Sequence, residues 1–238
     1  MIYATTDLHG YSLDKFKDFL NKVNFGAEDH LYILGDVIDR GPDGVKLLRW
    51  IMQQKNVTLL RGNHEDMLLK CDFLFDEPLD EAVAKLRGTR YNSYRHWMEN
   101  SGWVTLDALA GVRDREIQYI LEFLRNAPLY AEVSVNGRDF ILVHAGLGNF
   151  SKDKKMSEYT ADELIWERPT LYTDYFYDGP ITVFGHSPTV IFGERNMGRI
   201  LRTETWIDID IGVGIGLDPV LLCLDDLTTI YYKDIKDK

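Results

Sequence analysis

Three short apolar runs in the first 64 residues each break off in a polar cluster that carries glycine. That repetition restricts the possible folds more than any other feature of the chain. Residues 2–6 run into Asp7-Leu8-His9-Gly10, and residues 30–34 run into Gly35-Asp36-Val37-Ile38-Asp39-Arg40-Gly41. Residues 57–60 run into Arg61-Gly62-Asn63-His64-Glu65. Between the runs lie two amphipathic stretches. In residues 12–24, Leu13, Phe16, Phe19, Leu20 and Val23 fall on one helical face, and residues 43–54 place Val45, Leu47, Leu48, Trp50 and Ile51 similarly. Strand alternating with helix predicts an α/β architecture. It also places the polar clusters at strand carboxyl ends, where such sheets bind their ligands.

The remainder reads differently. Residues 65–127 are predicted to be a helical excursion, rich in aromatics and lacking a strong strand. Within it, residues 87–97 are locally basic, which suits either a cap that touches substrate anions or a solvated helix. From residue 129 the pattern turns to β. Residues 130–135 and 138–143 flank Asn136-Gly137, the signature of a type I′ hairpin. The second of these strands ends at His144-Ala145-Gly146, and a later one, 181–184, ends at Gly185-His186-Ser187-Pro188. Residues 206–211 and 219–224 suggest a final pair of strands. No repeat, linker or low-complexity tract interrupts the chain, so one domain over 1–238 is expected, with 65–127 as an excursion inside it.

Composition narrows the functional classes. A length of 238 residues with 45% hydrophobic content suffices for a large core. A net charge of −11 and a pI near 5.0 disfavour non-specific binding to nucleic acid, because an acidic surface repels phosphate backbones. No uncharged run approaches the ~18 residues of a membrane span. The first residues lack the basic start and apolar stretch of a secretory signal, so a cytoplasmic location is expected. Cys71 and Cys223 have no metal-type spacing, and reduced, buried thiols are expected rather than a disulfide.

Four of the six histidines fall within five blocks: Asp7-Leu8-His9-Gly10, Gly35 to Gly41, Gly62-Asn63-His64-Glu65, Val143-His144-Ala145-Gly146 and Phe184-Gly185-His186. Asp-x-His alone is a weak signal. Gly-Asp-x-x-Asp-Arg-Gly and Gly-Asn-His-Glu are specific, and all five in order are more so. With these motifs the chain resembles the calcineurin-like metallophosphoesterases from Asp7 to about residue 224. Within them it resembles the phosphoprotein phosphatases of the bacterial and bacteriophage lambda type.

That resemblance implies an α/β (α+β) fold, a four-layer sandwich of two mixed β-sheets flanked by helices, with a helical cap-like excursion. It implies two divalent metal ions, Mn²⁺ first, with Fe or Zn²⁺ also suited to oxygen and imidazole donors. Asp7, His9 and Asp36 would hold one ion, and Asp36, Asn63, His144 and His186 the other. A hydroxide held by the metals would then attack phosphorus in line. His64 would protonate the leaving oxygen, with Asp39 orienting it and raising its pKa. Arg40, Arg168 and Asn63 would bind the substrate phosphate, while Arg61 would be structural.

On substrate, the resemblance implies first a serine/threonine protein phosphatase, extending to phosphotyrosine, with no regulatory subunit implied. The alternatives are a diadenosine tetraphosphate hydrolase of the symmetrical kind and a 2′,3′-cyclic nucleotide hydrolase. The symmetrical hydrolases typically lack an acid at the position of Asp39, which tilts the expectation toward esters with poor leaving groups. A non-catalytic metal-binding scaffold is the third reading. Gly212-Val213-Gly214-Ile215-Gly216 mimics part of a dinucleotide fingerprint, yet lacks the surrounding βαβ unit and reads as a strand-to-loop turn. His30 and His96 fit no motif, and packing or surface roles are expected of them.

Overall fold

Alternation along the strands decides where the apolar side chains go. The computed structural model of the protein describes residues 1–235. In β1 (Ile2–Thr5), Tyr3 faces a helical layer while Ala4 faces the opposite sheet. In β9 (Val220–Cys223), Leu221 and Cys223 take the first side, and Val220 and Leu222 the second. Phe140 and Leu142 of β5 (Arg138–Val143) join the layer between the sheets, whereas Ile141 and Val143 pack outward. Two mixed β-sheets therefore share one apolar layer, and each is covered on its far face.

The first sheet has the order β10-β9-β1-β2-β3, with β2 (His30–Ile33), β3 (Val57–Leu59) and β10 (Thr229–Tyr231). Its strands β1, β2 and β3 are parallel, with Tyr3 opposite Leu31 and Leu31 opposite Val57. The second sheet runs β4-β5-β6-β8-β7, with β4 (Tyr130–Val135), β6 (Ile181–Phe184), β7 (Leu201–Arg202) and β8 (Trp206–Asp208). Here β5, β6 and β8 are parallel. Asp7, Asp36 and Asn63 follow the parallel strands of one sheet, and His144 and His186 those of the other.

The helices follow their apolar spacing. α1 (Leu13–Lys22) buries Phe16, Phe19 and Leu20 and is capped by Ser12, whose side chain accepts from Lys15 N at 3.4 Å. α2 (Gly44–Ile51) buries Val45, Leu47, Leu48 and Ile51 against the same layer. The excursion resolves into α3 (Asn63–Leu69), α4 (Leu79–Ala84), α5 (Gly88–Glu99), α6 (Gly102–Ala110) and α7 (Asp114–Asn126). α8 (Ala161–Ile165) packs on the outer face of the second sheet. At the hairpin, Asn136 (φ 51°) and Gly137 (φ 75°) are both left-handed, as a type I′ turn requires.

Several sequence expectations need correction. The final strands are not partners, because β8 pairs with β6 and β7, whereas β9 pairs with β1 and β10. The first of them stops at residue 208 rather than 211. There Asp210 N donates to Asp208 Oδ1 (2.9 Å) and Gly212 N to Asp210 Oδ1 (3.0 Å), so side chains replace the ladder. The short elements β7, β10 and α8 lacked a legible pattern. Cys71 and Cys223 are free and buried. Among the described residues, no helix is long and apolar enough to cross a membrane.

Candidate active site

Six non-glycine residues at the strand ends adopt left-handed backbone: Asp7 (φ 51°), His9 (41°), Asp36 (54°), Asp39 (67°), Arg40 (59°) and His186 (68°). Such conformations cost ~1–3 kcal/mol each and persist where the surroundings impose them. The first two loops are laced together by His9 N to Asp36 O (2.8 Å), Gly10 N to Val37 O (2.7 Å) and Gly41 N to His9 O (2.9 Å). Glu65 holds the same loop from behind. Its buried carboxylate accepts from the backbone nitrogens of Asp36 (2.8 Å), Val37 (2.8 Å), Ile38 (3.4 Å) and Gly62 (3.0 Å). The motif alone implied no role for Glu65. The available signal was its place in the first turn of α3, where a glutamate reaches back to the helix start.

The histidine tautomers follow from their partners, since a carbonyl can only accept. His9 Nδ1 donates to Ile38 O (3.1 Å), which leaves the Nε2 lone pair 3.7 Å from both Asp7 Oδ1 and Asp36 Oδ2. His144 Nδ1 donates to Leu34 O (2.7 Å), so its Nε2 lone pair faces Asn63 Oδ1 at 2.8 Å and Asp36 Oδ1 at 3.5 Å. His186 Nε2 is buried with no hydrogen-bond partner. Lone pairs thus converge without protons between them.

The charges tell the same story. Burial pushes the His9 imidazole down to about 3 and His186 down to about 2, so both are neutral and able to ligate. The Asp36 carboxyl is held well above its ordinary range by burial, then by the neighbouring charges of Asp7 and Glu65. Donor atoms of His9, Asp36 and His64 lie within 4.8 Å of one another, as do those of Asp36, His144 and His186. Asp36 belongs to both groups. Unpartnered imidazole nitrogens around a crowded carboxylate fit two divalent cations, and an oxygen and nitrogen donor set without thiolate suits Mn²⁺, Fe or Zn²⁺. His64 falls in the first group by proximity, but its Nε2 carries a hydrogen; the expected Asp7 stands outside the 4.8 Å group, with Oδ1 3.7 Å from His9 Nε2.

His64 Nδ1 lies 2.6 Å from Asp39 Oδ2, and Nε2 points into the cleft, 3.8 Å from Asp36 Oδ2. Contrary to expectation, the imidazole is not held in a raised range. Burial and then Arg40 push it down to about 3, while burial pushes the Asp39 carboxyl up to about 7. A dry pocket penalises charge on either partner. With both protons on the pair, Nε2 carries a hydrogen whether the shared proton sits on Oδ2 or on Nδ1, so the donor faces the cleft in either arrangement.

Arg40 and Arg168 are exposed beside these buried groups. Arg168 Nη1 donates to Ser187 Oγ (3.1 Å), next to His186. The Gly212 to Gly216 segment is a turn, as expected, but it also walls Arg40. A Cβ on Gly214 would lie 2.3 Å from Arg40 Nη1 and 2.6 Å from His9 Cδ2. Gly214→Ala is therefore expected to turn Arg40 aside. On the phosphate-binding role expected of Arg40, loss of one charge-assisted contact, worth ~1.5–3 kcal/mol, would lower kcat/KM on a phosphomonoester by ~10–100-fold. Steady-state kinetics would check this, and an unchanged kcat/KM would refute it.

The remaining candidates fall away from the chemistry. Arg61 donates its backbone N–H to Pro128 O and lies 4.0 Å from Asp66. His30 Nε2 meets Thr58 Oγ1 at 2.9 Å, and the His96 ring packs on Trp166. The basic stretch is a largely exposed helix whose arginines make local contacts. Arg87 caps the Ala84 and Leu86 carbonyls, Arg90 lies over the Phe73 ring, and Arg95 approaches Glu99. From that stretch it is Trp97 that reaches Asp39, with its Nε1 donating to Oδ2 at 3.0 Å.

Comparison with known proteins agrees with this picture. The calcineurin-like phosphoesterase family matches residues 1–209. A symmetrical bis(5′-nucleosyl)-tetraphosphatase of Acidovorax sp. (strain JS42) is 32% identical over 166 residues, covering 69% of this chain and 47% of the relative. Its counterpart in Chromobacterium violaceum is 28% identical over 148 residues, covering 61% and 43%. The chain spans about half the length of these relatives. A crystal structure with the provisional name diadenosine tetraphosphatase superposes with a TM-score of 0.60 at 17% identity, covering 96% of this chain and 91% of that one. The cold-active protein-tyrosine phosphatase of a psychrophilic Shewanella sp. gives 0.56 at 17% identity, covering 97% and 77%. At these identities the structural likeness speaks to the fold. Strand-end carboxylates and imidazoles from two sheets, and a family match that runs through both of them, lead to one assignment: the chain belongs to the calcineurin-like phosphoesterases.

Proposed function

We propose that the chain hydrolyses a phosphorus–oxygen bond in a small phosphorylated molecule of the dinucleoside polyphosphate class. The observation that carries the hydrolase reading is the sharing of Asp36 between two cation-ready groups, with Arg40 and Arg168 exposed at their side. Two bound divalent cations supply Lewis-acid activation of water and neutralise charge on the phosphoryl oxygens. Arg40 and Arg168 bind and orient the phosphoryl group, with Asn63 beside it. Water adds to phosphorus, the bond to the leaving group breaks, and His64 Nε2 delivers a proton to the departing oxygen. The substrate class rests on the symmetrical tetraphosphatases among the relatives, which reverses the order of substrates that the sequence suggested.

A second reading keeps a phosphomonoester substrate of the phosphoserine kind, and the contact between Asp39 and His64 favours it. A nucleoside diphosphate leaves readily, whereas an alkoxide needs a proton. Side-by-side kcat/KM values of the Mn²⁺-loaded protein on diadenosine tetraphosphate, a phosphoserine peptide and a 2′,3′-cyclic nucleotide decide the matter. The dinucleotide is expected to lead by at least ~10-fold, or ~1.4 kcal/mol. A lead for the phosphopeptide would favour the second reading, and no turnover of any of them would end both.

A further inference from the structure

Asp39 is fully buried, and two side chains from the helical excursion grip it besides His64. Trp97 of α5 donates to Oδ2 at 3.0 Å, and Thr105 of α6 donates to Oδ1 at 2.6 Å. The Thr105 hydroxyl also accepts from Asp39 N at 3.0 Å. One hydroxyl therefore fixes both the main chain and the carboxylate of a residue in left-handed backbone. Trp97 and Thr105 are themselves buried. Their convergence depends on the turn between α5 and α6, where the indole occupies the space beside Gly102 that a side chain would fill. A Cβ there would stand 2.4 Å from Trp97 Cδ1 and 2.5 Å from its Nε1.

We propose that Trp97 and Thr105 are positioning residues for proton delivery. They lock the Asp39 carboxylate, and through it the His64 ring, so that Nε2 meets the leaving oxygen. On this view the excursion is part of the proton-delivering apparatus rather than a cover. A buried carboxylate with two oxygens and three side-chain donors has little freedom to rotate, and the imidazole at 2.6 Å inherits that restraint. The inference rests on the acid role given to His64 above, and the test separates the two claims.

The test compares Mn²⁺-loaded wild type, Thr105→Val, Thr105→Ser, Trp97→Phe and His64→Asn on phenyl phosphate and p-nitrophenyl phosphate. Nitrophenolate leaves with little proton help, whereas phenolate needs more. His64→Asn is expected to lose ~10²–10⁴-fold in kcat on phenyl phosphate and far less on the nitrophenyl ester. Thr105→Val is expected to lose ~10–100-fold on phenyl phosphate and under ~3-fold on the other, a part of the same effect. Thr105→Ser keeps the hydroxyl and should restore the rate. Thr105→Val should add nothing to His64→Asn in the double variant, because both act through one imidazole. Should Thr105→Val not fold, Trp97→Phe carries the same comparison. Equal losses on both esters for the Thr105 and Trp97 variants, beside a clear split for His64→Asn, would overturn this inference alone. No split for His64→Asn would overturn the acid role and this inference together.

Discussion

A Glu65→Ala chain is expected to unfold ~6–20 °C below the wild type, even with no metal added. The carboxylate is fully buried and accepts four backbone N–H groups from two loops. Truncation leaves those donors facing a cavity, and each orphaned buried donor costs ~1–3 kcal/mol. The Ile38 contact, at 3.4 Å, is the weakest, and water entering the cavity recovers part of the rest. A net loss of ~3–6 kcal/mol is a large fraction of the ~5–15 kcal/mol that holds a domain together. Glu65→Gln keeps the volume but turns an N–H₂ group toward backbone donors, so it should fall between the two. Thermal unfolding followed by circular dichroism in a chelator checks the series. A shift below ~3 °C for the alanine variant would mean that the loops are held elsewhere.

What the sequence revealed and what it hid divides by the distance over which the signal acts. Asp7, Asp36 and Asn63 were legible because each follows an apolar strand within a few residues, and parallel pairing then brings the strand ends together. His144 and His186 were legible for the same reason in the second sheet. Glu65 stood inside a recognised motif, yet its work depends on loops 27 to 29 residues away. Trp97 and Thr105 reach Asp39 across 58 and 66 residues of sequence, and no local pattern marks that meeting. Gly214 sat in a motif read only as a turn, because the guanidinium that its missing side chain leaves room for comes from another loop. The His64 environment was misjudged for a related reason: a carboxylate neighbour was visible in the motif, but the burial that outweighs it was not. Substrate preference was the least legible feature, since strand and helix periodicity does not bear on which phosphate ester the site takes.

The second large effect concerns Asp36, where function and stability oppose each other. Asp36→Asn is expected to raise the melting temperature of the metal-free protein while abolishing its response to Mn²⁺. Burial and the charges of Asp7 and Glu65 hold the wild-type carboxyl above its ordinary range, so its ionised form works against the fold. The sign follows from proton linkage. A carboxyl with a raised folded pKa stabilises fully below its unfolded value near ~3.9, and that contribution is lost as pH rises through the folded value. At neutral pH asparagine removes the penalty, and its Oδ1 still accepts from His64 N, the 3.0 Å bond that Asp36 makes. The variant should therefore melt above the wild type when both are free of metal. The advantage of the variant should grow from about pH 4 upward. With Mn²⁺ at 100 times its dissociation constant the wild type should gain ~2.7 kcal/mol, and the variant should gain nothing. Hydrolysis should fall by ~10³-fold or more, because both cations lose their common ligand. Scanning calorimetry of the two proteins, with chelator and then with Mn²⁺, reads both responses directly. A metal-free variant less stable than the wild type, or one that still gains from Mn²⁺, would show that Asp36 is not the carboxylate on which both groups depend.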